Sequence, residues 1–128
     1  MKSIADNLAN VRQSIKNATI SACRPENAVQ LLAVSKTKPA SAVREAISCG
    51  QKAFGENYLQ DALEKISALK DETDIEWHFI GPVQSNKTRQ IAESFQWVQT
   101  IDREKIARRL HEQRPDHLPP LNICIQVN

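Results

Sequence analysis

Three glycines in 128 residues leave few places where the backbone turns freely, so the position of each is informative. Gly55 and Gly81 both fall directly after β-rich runs. Charge of one sign is also missing. With 17 basic and 15 acidic side chains and a net charge of +2, the overall balance implies neither nucleic acid nor an anionic membrane as partner. The three cysteines, Cys23, Cys49 and Cys124, are odd in number, widely spaced and without a Cys-x-x-Cys pair. No stretch approaches the ~20 apolar residues of a membrane span, and the N-terminus lacks a basic segment followed by an apolar signal core. These absences predict a cytosolic, reduced, globular chain. At 41% hydrophobic and 25% charged it can bury one core and is too short for two ordinary domains.

What is present is a repeating beat. Ile4, Leu8, Val11 and Ile15 recur at helical spacing behind a capping Ser3, predicting an N-terminal amphipathic helix. From Leu31 onward, short β-rich runs start at residues 31, 52, 75, 97 and 121, separated by 21 to 24 residues. That interval holds a strand, a helix and two short loops. The intervening helices carry Val43, Ala46 and Ile47; Leu59, Ala62, Leu63 and Ile66; Ile91, Ala92 and Phe95; and Ile106, Ala107 and Leu110. Pro39 opens the first of these, which stops before Gly50, and Asp102 caps the last. Repeated βα units predict a parallel sheet with right-handed crossovers, either a doubly wound open sheet or part of a (β/α)8 barrel. A full barrel takes about 250 residues, and periodicity alone leaves both architectures open.

Either fold gathers functional residues at the carboxyl ends of its strands. Lys36, the Gly55-Glu56-Asn57 turn, the Gly81-Pro82 turn, Thr100 to Asp102 and Asn128 are expected to share that rim. Lys36 is the informative member. A lysine emerging from a buried strand is partly stripped of water, which favours the neutral amine that attacks an aldehyde. Gly81 to Thr88 has the glycine, lysine and hydroxyl of a phosphate loop, but Asn86 replaces its second glycine, so triphosphate binding is rejected. Ser85 or Asn86 is expected to cap the next helix, whose N–H groups could attract an anion. Alternation sends Trp77 and Phe79 to one face and His78 and Ile80 to the other, with His78 a hydrogen-bonded packing residue. His111 and His117 have no partner at metal-ligand spacing, so no metal is expected. Glu56 and Asp102 are acid or base candidates by position only, and Tyr58, at a helix start, is expected to pack.

Longer runs carry a resemblance. Leu-Leu-Ala-Val-Ser-Lys-Thr-Lys-Pro over 31–39, Phe-Gly-Glu-Asn-Tyr over 54–58, Trp-His-Phe-Ile-Gly-Pro over 77–82 and Gln-Ser-Asn-Lys over 84–87 resemble, in order, the signature runs of the pyridoxal phosphate homeostasis protein family. The match extends through Thr100-Ile-Asp-Arg103 to the terminal Ile-Gln-Val-Asn. It implies an α/β fold, a parallel (β/α) barrel like the N-terminal domain of alanine racemase, of which residues 1–128 would be the N-terminal portion: a helix and about five of eight strands. It implies pyridoxal 5′-phosphate as cofactor, held as an imine on Lys36, with Asn57, Gly81 and Pro82 lining the pocket. The implied role is cofactor carriage in vitamin B6 homeostasis without established turnover, with pyridoxal-phosphate-dependent apoenzymes as recipients.

The same resemblance sets a limit. The family continues past Asn128 and draws its phosphate-holding serine, threonine and backbone N–H groups from that later part. Charge-assisted hydrogen bonds contribute about 1.5–3 kcal/mol each, so lacking two or three would weaken binding by several powers of ten. Open edges on the first and fifth strands predict self-association or marginal stability. Two enzyme readings compete. A racemase-like enzyme acting on amino acids needs an acid or base opposite Lys36, for which only Tyr58 offers itself. An aldolase-like lysine would form imines with carbonyl substrates directly, and the motif order argues against it.

Overall fold

The computed structural model describes residues 3–128. Ser3 and Asp6 close a reciprocal capping box, which starts helix α1 at Ile4–Ser21. Five strands follow, β1 (Ala33–Val34), β2 (Ala53–Glu56), β3 (Glu76–Phe79), β4 (Trp97–Ile101) and β5 (Asn122–Ile125), and they alternate with four helices. These are α2 (Ala40–Ser48), α3 (Leu59–Ala68), α4 (Thr88–Ser94, after a 3-10 turn at Ser85–Lys87) and α5 (Glu104–Gln113). Each predicted strand and helix is found.

All neighbouring strands are parallel, and their spatial order is β1-β2-β3-β4-β5. That order separates the two architectures. A doubly wound sheet grows in two directions from a switch point, whereas a barrel adds each strand beside the last and keeps its helices on one side. The chain therefore forms a five-stranded part of a (β/α) barrel.

Register shows which face each side chain takes. Phe54 pairs with Trp77, Glu56 with Phe79, and Phe79 with Val98, so these residues share the face that the helices cover. Phe54, Trp77, Phe79 and Val98 meet Val43, Ala62, Ile91, Ile106 and Leu110 in one apolar core. Phe54 packs on Trp77 with ring centroids 5.7 Å apart, and Phe79 meets Phe95 edge to face at 5.3 Å. The opposite face carries Val34, Gly55, His78 and Trp97, in barrel terms the lumen side. His78 stacks on Trp97 at 5.3 Å, while its ring nitrogens pair with Glu76 and Gln99, the packing role expected of it.

Several local expectations need correction. Gly55 and Glu56 belong to β2 rather than to a turn, because the ladder to β3 runs through Glu56–Phe79. Asp102 does not cap α5. The cap position is Arg103, without a side-chain bond, and Asp102 lies 3.7 Å from that arginine's Nε. Neither Ser85 nor Asn86 caps a helix: the 3-10 turn enters α4 directly, with Thr88 donating its hydroxyl to the Ser85 carbonyl. Pro39 is the cap of α2, immediately outside its first turn. Val11 is 44% exposed on α1 although it shares the apolar stripe, because it lies over a groove along the sheet edge at β1.

Candidate functional site

Lys36 stands immediately beyond the β1–β2 ladder, whose last bond runs from Ser35 N–H to the Gly55 carbonyl at 3.0 Å. The chain then turns. Lys38 N–H donates to the Ser35 carbonyl at 3.1 Å, and Thr37, the third residue of this four-residue turn, has φ +64°. Positive φ at the third position is the type II pattern, ordinarily given to glycine or asparagine. A threonine held there carries strain of roughly 1–2 kcal/mol. Lys36 is thereby placed at the exposed corner of the turn, at the carboxyl end of the first strand.

Beneath this corner lies a buried ionic cluster. Lys65 on α3 is 4% exposed and Glu56 on β2 is wholly buried. The Lys65 ammonium donates to the Ser35 carbonyl at 2.6 Å and to both Glu56 carboxylate oxygens at 3.0 and 3.1 Å. Asp61, one helical turn earlier, adds a carboxylate oxygen 3.1 Å away as an ion pair rather than an aligned hydrogen bond. The Ser35 hydroxyl donates to Glu56. Every polar atom of Ser35 is therefore engaged, and Lys65 has a partner for each of its three protons.

The other expected residues gather at the same end. Gly81 is packed so tightly on Asn57 that a Cβ there would lie 2.6 Å from the Asn57 carbonyl oxygen and 2.8 Å from its Cβ. Glycine is required by that close approach. The Thr100 hydroxyl donates to the Gly81 carbonyl at 2.5 Å, which joins the ends of β2, β3 and β4. The side-chain oxygen of Asn57 is shielded from solvent and has no hydrogen-bond partner, so it is an acceptor awaiting a donor. Pro82 is exposed, and with Asn57, Asp61, Phe79, Gln84 and Lys87 it borders a cavity of about 530 Å³.

Tyr58, the residue before α3, is 54% exposed and lines the same cavity. The remaining candidates fall away from this group. Glu56 faces the helices rather than the rim and is fully committed to Lys65 and Ser35. Asn128 is exposed beyond β5. Among the described residues, no group of three or more histidines, cysteines or carboxylates stands close enough to hold a metal ion. Sequence reading missed Lys65. Its signal was an ionic residue on the apolar stripe of Leu59, Ala62 and Ile66, with Asp61 four residues earlier and Glu56 at the end of the preceding strand.

No family model matches the chain. Curated relatives do. The chain is 61% identical over 128 residues to the pyridoxal phosphate homeostasis protein of Pseudomonas aeruginosa and 55% identical over 130 residues to that of Escherichia coli K12. These alignments cover 100% of this chain and 55% and 56% of the two relatives. Among solved structures, PipY of Synechococcus elongatus PCC7942 without PLP superposes with a TM-score of 0.76 at 40% identity, covering 87% of this chain and 47% of that one. The PLP-bound form of PipY superposes with a TM-score of 0.67 at 43% identity over 77% of this chain and 46% of that one. The chain spans about half the length of the curated relatives it matches, and over that length it is similar in sequence to pyridoxal phosphate homeostasis proteins and in fold to PipY.

Proposed function

We propose that the protein binds pyridoxal 5′-phosphate covalently through Lys36 and serves in the handling of intracellular vitamin B6. The observation that carries this reading is the presentation of Lys36 at an exposed turn, closed by a hydrogen bond from Lys38 N–H to the Ser35 carbonyl, on the carboxyl rim of a parallel barrel sheet. The PLP-bound structure of PipY supports it from outside the chain.

When bound, the cofactor supplies an electrophilic aldehyde on a pyridine ring. The neutral Lys36 amine would add to that carbon, so that C=N replaces C=O and one water leaves. Asn57 fits the group because its shielded side-chain oxygen lacks a donor and would accept one from a polar ligand. Gly81 and Pro82 would shape the wall beside it, with Gly81 held by Thr100. Of the carboxylates beside this rim, Glu56 is bound up with Lys65 and Ser35 and Asp61 is ion-paired with Lys65, which supports carriage of the cofactor over racemisation.

Residues 1–128 are proposed to form the N-terminal portion of a single pyridoxal-phosphate-binding barrel domain, with PLP-dependent apoenzymes as recipients of the cofactor. Cys23, Cys49 and Cys124 are unpaired, which suits the reducing cytoplasm. No helix among the described residues is long and apolar enough to cross a membrane.

Addition of pyridoxal phosphate should produce a visible absorbance band that Lys36→Ala loses. A band of equal strength in Lys36→Ala would overturn the assignment.

A further inference from the structure

We infer that Lys65 and Glu56 are positioning residues for Lys36, acting through Ser35 as a buried ionic lock on the turn that presents the reactive amine. The inference rests on the reading that Lys36 carries the cofactor. It adds two residues that never touch the cofactor.

An ammonium and a carboxylate withdrawn from water often stabilise a fold no better than apolar groups of the same size, so net stability alone does not account for this pair. Here the geometry converges on one residue. Lys65 Nζ lies 2.6 Å from the Ser35 carbonyl oxygen, and Glu56 accepts the Ser35 hydroxyl. The same Ser35 carbonyl accepts Lys38 N–H, the bond that closes the turn around Lys36 and Thr37. A positive charge on that carbonyl from the buried side fixes the first residue of the turn while the left-handed Thr37 strains the third. Without the lock, the strained turn can relax and Lys36 is no longer held in one place.

The lock also spans elements. Ser35 follows β1, Glu56 ends β2 and Lys65 lies on the second turn of α3, so the Lys36 turn is fastened to both its neighbouring strand and the helix behind it. Asp61 balances the ammonium from the solvent side, where it is 43% exposed. The Glu56 and Asp61 carboxylates thus flank the Lys65 ammonium on the sides away from the Ser35 carbonyl.

The test compares the parent protein with Glu56→Gln/Lys65→Met, which removes the clamp together with the wholly buried carboxylate and leaves only the partly exposed Asp61 without its ion-pair partner. Ser35→Ala serves as a milder variant should the double variant fail to fold. Ile106→Val, in α5 on β4 and α4, serves as a control for stability lost elsewhere. Amide hydrogen exchange at Lys38 reads the turn without any cofactor, and borohydride-trapped pyridoxal phosphate at Lys36 reads the amine.

Lys38 exchange is expected to quicken by about tenfold or more in the double variant and by a few-fold in Ser35→Ala, with trapping at Lys36 reduced in step. Neither should change in Ile106→Val. Unchanged Lys38 exchange overturns the lock whatever the cofactor does. Faster exchange with undiminished trapping overturns its positioning role. A parent protein that traps no cofactor at Lys36 fails the functional reading instead, and the exchange experiment still decides the lock.

Discussion

Ser35 shows how a single residue can tie chemistry to fold: its amide extends the sheet, its hydroxyl meets Glu56, and its carbonyl serves both Lys65 and the turn. Lys36 was legible in the sequence because a lysine after a short apolar run marks a strand end. Lys65 was not, because an i, i+4 Asp–Lys pair on a helix reads as a solvated face until the sheet shows which way it points. Lys65→Met alone would leave Glu56 buried and unpaired, and it should cost about 3–5 kcal/mol in chemical denaturation. A loss below about 1 kcal/mol would mean that water reaches the cluster. At Gly81 the constraint is steric. Gly81→Ala places a methyl against the Asn57 backbone, which cannot swing aside as a side chain can. It should cost about 1–3 kcal/mol and weaken pyridoxal phosphate binding by displacing Asn57, both measurable in one denaturation and titration series.

Elements were more readable than their ends. The 3.6-residue stripes located every helix, since the core selects for them directly, but caps were misplaced at Asp102 and at Ser85 or Asn86. A polar residue before a helix is only a candidate cap, and the incoming backbone decides whether its side chain can fold back. At Thr88 the hydroxyl instead joins Ser85, Gln113 and Arg109 and ties α4 to α5. Phe95, just past α4, has no exposed surface and meets Phe79 of β3. Phe95→Ala should lower stability by about 3–5 kcal/mol, and a much smaller loss would show that the β3–α4 layer can collapse around the gap.

A second link joins α2 to the end of α3. Arg44 reaches Asp71 at 2.9 Å, Glu72 at 2.9 Å and the Ala68 carbonyl at 3.2 Å. Its hydrogen bond holds the Asp71 carboxyl below the usual carboxylate range. The folded value is thus lower than the unfolded one, so this contribution is complete above the usual carboxylate range and disappears as pH falls through the lowered value. Asp71→Asn should lower the melting temperature slightly at neutral pH and not at all once Asp71 is protonated, well below about pH 4. An equal difference at both pH values would contradict the ion-pair account.

At the scale of the whole molecule, the repeat length of the βα units indicated a parallel sheet but could not order its strands. Only the sequential order β1 to β5 excludes a doubly wound sheet, and strand order depends on contacts between distant residues that periodicity does not encode. The outer strands also set the molecule's behaviour in solution. Val34 is 51% exposed on β1, while Ile123 and Ile125 on β5 are 44% and 73% exposed. Each strand has a neighbour on one side only, leaving backbone donors and acceptors free along the other. The 128-residue chain should therefore self-associate with rising concentration in sedimentation, and Ile125→Lys should reduce that association while changing its melting little. A monomer at all concentrations would remove the edges from consideration.

The central claim is that Lys36, at the strained turn behind β1, is the residue that captures pyridoxal phosphate. Borohydride reduction of the protein mixed with cofactor, followed by peptide mass mapping, tests it most directly. The account predicts a pyridoxyl adduct on Lys36 in preference to every other lysine; an adduct spread evenly over the surface lysines, or seated on Lys38 or Lys87 with Lys36 unmodified, would contradict it.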